Sequence, residues 1–203
     1  MKFYNSIGPN PRMVRFFMAE KGIDIPRVEV DLMKAENRGA AYTAKNPQGQ
    51  TPSLELDDGR HLAEITAICE YLEELHPTPS LIGTSPVERA ETRMWTRRID
   101  QQIVEPLANG FRFSEGLPIF KDRMQCEPEA APGLKRMAQA RLAWLEKQMD
   151  GKTWICGNRF SMADILLYAF QDFGSSVGQP LNPDFKNLTA WFARVKDRPA
   201  AKA

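Results

Sequence analysis

The chain has 203 residues, of which 42% are hydrophobic, 26% charged and 9% aromatic, a globular composition that excludes disordered, collagen-like and fibrous classes. A chain of this length buries roughly 70% of its extended surface and needs no disulfide or metal staple. Lys+Arg 27 against Asp+Glu 26 leaves a net charge of +1, too even a balance to hold a nucleic acid through its phosphates.

In chain order, Lys2–Asn5 alternates apolar and polar residues and predicts a strand. Ser6-Ile-Gly-Pro-Asn-Pro11 is turn chemistry, with Pro11 suited to a first helical turn because a missing N–H costs nothing there. Met13, Val14, Phe16, Phe17 and Met18 mark a buried helix that stops at Lys21-Gly22. Val28–Leu32 and Pro52–Leu56 read as strands, and Asp57-Asp-Gly-Arg60 as a hairpin turn into a return strand at His61-Leu62. Glu64–Glu74 is a helix with Ile65, Ile68, Cys69, Leu72 and Leu75 on one side. A parallel strand–helix–strand unit joined to an antiparallel pair makes one small α/β sheet.

His76-Pro-Thr-Pro-Ser80 breaks the chain, and beyond it the pattern turns helical. Helices are predicted over Glu88–Val104, ending before Pro106, and over Ala138–Met149, after interruptions at Pro128 and Pro132. Another follows Ser161-Met-Ala-Asp164, a capping box with Asp at the third helical position, and a last one covers Leu188–Val195. No strand is predicted after about residue 85. The organisation expected is an α/β domain over 1–77, a linker over 78–86 and an all-helical domain over 87–203.

Cys69, Cys126 and Cys156 contain no Cys-x-x-Cys pair, which excludes a zinc ribbon and a dithiol redox centre, and they read as buried, inert thiols. His61 and His76 lack ligand-spaced partners, so no metal is expected. Phosphate-binding loops and a Gly-x-Ser-x-Gly elbow are absent. No apolar run reaches the roughly 18–20 residues that cross a bilayer, and Met13–Ala19, interrupted by Arg15, is no signal core. A soluble, cytoplasmic protein without membrane partners is expected.

Four segments together resemble the cytosolic glutathione transferases. They are Phe3-Tyr4 with Gly8-Pro-Asn10 and Val14–Ile23; Asn46-Pro-Gln-Gly-Gln-Thr-Pro52; Asp57–Leu72; and Ser161-Met-Ala-Asp164. The resemblance covers the whole chain. It implies an α/β thioredoxin-like N-terminal domain followed by an all-α C-terminal domain, a C2 homodimer, and glutathione as co-substrate with no metal. The reaction implied is attack of the glutathione thiolate on a small hydrophobic electrophile, a peroxide or a disulfide, as in detoxification.

The resemblance also assigns residues. Pro52 is expected cis, turning the Thr51 main chain toward the cleft, where its N–H and C=O pair with a peptide ligand as an added strand. Glu64, at a helix start, is placed to bind the γ-glutamyl amino group, while the neighbouring N–H groups favour its carboxylate. The usual acid is followed by Ser or Thr; here the pair is Glu64-Ile65, so Ile65 offers only its backbone N–H. Arg38 and Gln50 are candidates for the glycyl carboxylate; an exposed, solvated Arg38 is the alternative.

A free thiol with a pKa of about 8.5 is only about 3% thiolate at pH 7, and lowering that pKa by about two units takes roughly 2.7 kcal/mol. One hydrogen bond to the charged sulfur supplies about 1.5–3 kcal/mol. The donor position commonly filled by serine is Gly8 here. Gly8-Pro9-Asn10 instead resembles the Thr-Pro-Asn loop of bacterial Nu-class relatives, in which an asparagine amide contacts the sulfur. Asn10 is therefore the first candidate, with Ser6 and then Tyr4 behind it; the alternative for Asn10 is a helix N-cap. The electrophile is expected between the Ser6-Ile7-Gly8 loop and the first long helix of the second domain. Trp95, Arg98, Gln102, Phe111 and Phe113 are its candidate lining, against core packing for Trp95. A second function class stays open, a non-catalytic family member used for binding or assembly, and the residues Gly8 and Ile65 are its support.

Overall fold

The computed structural model describes residues 1–203 and divides into two compact units, Met1–Ser80 with Lys202–Ala203, and Leu81–Ala201. No helix is long and apolar enough to cross a membrane.

In the first unit the elements are β1 (Lys2–Asn5), α1 (Pro9–Lys21), β2 (Arg27–Glu29), α2 (Ala40–Thr43), β3 (Ser53–Glu55), β4 (His61–Leu62) and α3 (Ile65–Leu75). The sheet order is β2-β1-β3-β4; β1 runs parallel to β2 and antiparallel to β3, and β3 and β4 form a hairpin. The strand at Lys2–Asn5 is not half-exposed as its alternation suggests. Phe3 and Tyr4 point to opposite faces, yet both are buried, because an interior strand is covered on both sides. Tyr4 packs with Val30 and Tyr42, and its ring meets that of Tyr42 edge-on at 6.0 Å. The second strand is shorter than the alternation Val28–Leu32 and lies exposed at the sheet edge.

Gly22 ends α1 at φ 64°, its N–H returning to Ala19 O while Ile23 N–H reaches Met18 O. Beside that stop a buried ion pair joins the end of α1 to α3, with Lys21 Nζ 2.6 Å from Glu73 Oε2. Lys21 also donates to the carbonyls of His76 and Pro79, and Ser80 Oγ donates to Glu73, so the proline-rich stretch is tied down by the charge it covers.

The second unit holds α4 (Pro86–Ile99), α5 (Glu105–Arg112), α6 (Leu117–Phe120), α7 (Ala131–Gln148), α8 (Met162–Ser176) and α9 (Lys186–Lys196), with no strand, only two isolated bridges within residues 154–159. Two of its helices begin with capping boxes, Ser85 with Glu88 and Ser161 with Asp164. Pro106 does not end a helix as expected. The chain runs from α4 through a π-helical turn at Asp100–Val104 into α5, with Pro106 in the first turn of α5. Proline cannot donate to the carbonyl four residues back and its ring would strike it, so the turn ahead of it widens. Pro132 likewise lies in the first turn of α7 and does not interrupt it, so that helix starts seven residues before Ala138.

Of the three thiols, Cys69 and Cys156 are buried, and burial pushes both pKa values up. Cys126 is only half-buried, which corrects its assignment to the core.

Candidate functional site

The β1–α1 connection places the thiol candidates. Gly8 occupies the N-cap of α1 at φ 111°, and no side chain caps the helix. A Cβ at Gly8 would meet nothing within 4 Å, so the backbone angle, not lack of room, calls for glycine. Asn10 therefore sits inside the first turn and is not the N-cap, which removes that alternative. The first three helical positions are Pro9, Asn10 and Pro11, and Arg12 N–H already bonds Gly8 O at 3.3 Å. Two prolines carry no N–H, so Asn10 supplies the one unspent backbone donor of this turn, with its side-chain amide beside it. The positive end of the α1 dipole is thus presented, among the helical positions, by Asn10, next to the N-cap N–H of Gly8.

Ser6 is 3% exposed. Its Oγ lies 2.5 Å from Thr51 Oγ1 and donates to Ile7 O at 3.2 Å. Either hydroxyl can donate in that pair, so the one Ser6 proton is engaged by Thr51 Oγ1 or by Ile7 O and is not directed at a thiolate. The same holds for Tyr4, whose hydroxyl donates to Glu55 at 2.6 Å, holding that carboxyl down at about 2.

The Thr51–Pro52 peptide bond is cis, as expected. The register of β3 with β1 ends at Ser53, leaving the Thr51 main chain outside the ladder. The loop before it is braced by side chains in and on either side of α2. Asn37 Nδ2 donates to Gly49 O at 2.6 Å, and Tyr42 Oη and Asn46 Nδ2 donate to Gln50 O at 2.7 and 2.8 Å. Gly49, at φ 60°, is required here, because a Cβ would stand 2.8 Å from Asn37 O. Gln50 is exposed on the loop ahead of Thr51, and Arg38, exposed in the turn before α2, reaches that loop by donating to Gln48 O at 3.1 Å.

Glu64 is the N-cap of α3 and adopts φ 67°, ψ 118°, a conformation that costs a non-glycine residue about 1–3 kcal/mol and clusters at ligand sites. Its side chain is exposed and caps nothing, and α3 has no acid in its first turn. Ile68 N–H takes the Glu64 carbonyl at 2.9 Å, so the N–H groups of Ile65, Thr66 and Ala67 are the open donors of this helix. An anion can be bound there through the backbone alone, whatever side chain stands at Ile65.

The electrophile candidates fall into the second unit, apart from Gly8. Trp95 is 5% exposed and packs on Trp144 at 5.9 Å, which makes it a core residue and corrects its place in the pocket lining. Arg98 lies over the Trp95 ring at 5.2 Å, and Gln102 is half-buried in the π turn. Phe111 is held edge-on by Phe120 at 6.1 Å and Phe173 at 5.0 Å, with Phe113 half-buried at the end of α5.

Two family models match this chain, the N-terminal domain of glutathione S-transferase over residues 7–75 and the C-terminal domain over residues 111–199. The chain belongs to the glutathione S-transferase family. Glutathione S-transferase 2 of Saccharomyces cerevisiae is 31% identical over 96% of this chain and 84% of its own length. The crystal structure of the yeast protein, Gtt2, superposes with a TM-score of 0.93, covering 100% of this chain and 99% of that one. Glutathione S-transferase GstA of Escherichia coli O157:H7 is 30% identical over 98% of this chain and 94% of its own. A glutathione S-transferase domain-containing protein of Marinobacter aquaeolei VT8 is 35% identical, with a TM-score of 0.93 over 99% and 100% of the two chains.

In this transferase fold, a sequence reading misses the residues that brace the site. Asn37, Tyr42 and Asn46 hold the loop before Pro52, and Arg15 holds the loop after β1. Only Asn46 belongs to a motif, the one ending at Pro52; for the others the only signal is several hydrogen-bonding side chains clustered before a turn, which does not say which carbonyl they reach.

Proposed function

We propose that the protein activates the thiol of glutathione for attack on a small electrophile, a peroxide or a disulfide, with Asn10 as the group that faces the sulfur. The observation that carries this reading is the proline–asparagine–proline first turn of α1, which leaves Asn10 as its one unspent donor. The Thr51 main chain lies free to pair with the cysteinyl residue. The three open N–H groups of α3 suit the γ-glutamyl carboxylate, with Glu64 for its amino group, and Arg38 and Gln50 suit the glycyl carboxylate. Gly8 in the first unit and Arg98, Gln102, Phe111 and Phe113 in the second are the candidates for electrophile contacts. The working form is a homodimer that uses no metal.

Purified protein is assayed with glutathione and, in turn, a dinitrohalobenzene, a hydroperoxide and hydroxyethyl disulfide. At least one is turned over, and Asn10→Ala lowers kcat/KM by roughly tenfold to a hundredfold, the equivalent of about 1.4–2.7 kcal/mol in the transition state. Inactivity in all three assays, with no glutathione bound by calorimetry, defeats the reading and leaves a non-catalytic binding protein.

A further inference from the structure

A line of side chains crosses the first unit from the sheet edge to the loop before Pro52. It begins at Glu29 at the end of β2, whose two carboxylate oxygens accept from Asn5 Nδ2 at 2.8 and 3.0 Å. Asn5, buried at the end of β1, turns its Oδ1 toward α1, where Arg15 Nη1 donates to it at 2.7 Å. The same Arg15 nitrogen reaches Ser6 O at 3.3 Å. Ser6 in turn joins Thr51 through the 2.5 Å hydroxyl pair.

Each link leaves little freedom. The Asn5 amide is fixed in orientation because its N–H₂ faces a carboxylate and its carbonyl a guanidinium. Arg15 is half-buried, and its burial and the charges of Arg27 and Arg12 work against it while Glu29 supports it. The guanidinium is therefore held by the acceptors it has, Asn5 Oδ1 and Ser6 O.

We infer that Arg15 is a positioning residue, the centre of a relay from Glu29 through Asn5 and Ser6 to Thr51 that fixes the gap between the β1–α1 loop and the loop before Pro52. The relay rests on the glutathione reading above only for its use. Those two loops carry the two groups that reading needs, the Asn10 donor and the Thr51 main chain, and no backbone ladder joins them. The Ser6–Thr51 hydroxyl pair and the guanidinium behind it join them instead. Ser6 acts as a clamp, which accounts for a buried serine beside a site where its proton is spent elsewhere.

The test uses Arg15→Met, which keeps an unbranched apolar stem and loses both hydrogen bonds, Thr51→Val, which keeps the shape and loses the hydroxyl, and the double variant. In ligand-free protein, Arg15→Met is expected to move the amide NMR resonances of Thr51 and Ile7, and Thr51→Val the side-chain amide of Asn5. With glutathione, each single variant raises KM three- to tenfold with kcat changed less than twofold. The double variant is no worse than the worse single, because both break one chain of bonds. The pH profile of kcat stays in place, since Asn10 is untouched. Losses that multiply in the double variant, or unmoved resonances across the relay, overturn the inference. Moved resonances in a protein that neither binds nor turns over glutathione leave the relay standing and defeat the functional reading. If Arg15→Met does not fold, Glu29→Gln at the exposed end of the relay carries the same expectation for the Thr51 resonance.

Discussion

At the scale of the residue, Asn10 faces two demands that can be separated experimentally. A carboxylate in the first turn of a helix stabilises it by about 0.3–1 kcal/mol, because it meets the positive end of the dipole. The same carboxylate would repel a thiolate and occupy the donor. Asn10→Asp is therefore expected to raise the thermal midpoint by about a degree or more while cutting kcat/KM further than Asn10→Ala does. An Asp variant as active as wild type removes Asn10 from the sulfur. Glu55 gives a second test of this kind. Its carboxyl is held down at about 2, first by the Tyr4 hydroxyl and then by Lys2. A depressed pKa contributes stability above the ordinary carboxylate range, lost as pH falls from about 4.5 toward 2. The midpoint gap between wild type and Tyr4→Phe is thus expected to be full at pH 7 and to close by pH 2; a gap independent of pH contradicts the assignment. The place of Asn10 at a helix start was legible because proline, asparagine and glycine announce one, while its part at the sulfur came from the resemblance alone. The discharge of Ser6 and Tyr4 as donors was not, because it depends on Thr51 and Glu55, 45 and 51 residues away.

At the scale of the element, the box before α8 shows how far a local motif reaches. Asp164 accepts not only from Ser161 N–H and Oγ but from Ile155 N–H at 3.0 Å and Trp191 Nε1 at 2.8 Å. One carboxylate thereby joins the start of α8 to the preceding loop and to α9. Asp164→Ala leaves three buried N–H donors unpaired at about 1–3 kcal/mol each, so a loss of at least roughly 3 kcal/mol is expected in urea unfolding. A loss under 1 kcal/mol would mean that the box is local only. Ser-x-x-Asp ahead of an apolar run was readable from spacing; its bonds to Ile155 and Trp191 were not. Pro106 and Pro132 mislead for a related reason. A proline reads as a break, yet in a first turn it costs nothing, and only the packed helix shows that a widened turn has made Pro106 a first-turn residue.

At the scale of the whole molecule, the mixed parallel and antiparallel make-up of the sheet and the helical second half followed from the period of the apolar residues and the turns between them, whereas the strand order β2-β1-β3-β4 did not. Membership in the family followed from four motifs in order. Catalysis and binding separate at this scale through the ligand's effect on unfolding. A ligand at about 100 times its Kd stabilises the folded chain by about 2.7 kcal/mol. For a chain of this size that is a rise of about 5–10 °C in the thermal midpoint. Glutathione is expected to produce such a rise, and so is its analogue with serine in place of cysteine, which fills the same main-chain and helix-end contacts without a thiol. Asn10→Ala should keep the rise with the serine analogue and lose part of it with glutathione, the lost part growing with pH as more thiolate forms. Glu64→Ala should lose part of the rise with both. Equal losses for the two ligands in Asn10→Ala would place Asn10 in general peptide binding and leave the thiolate to the α1 dipole alone.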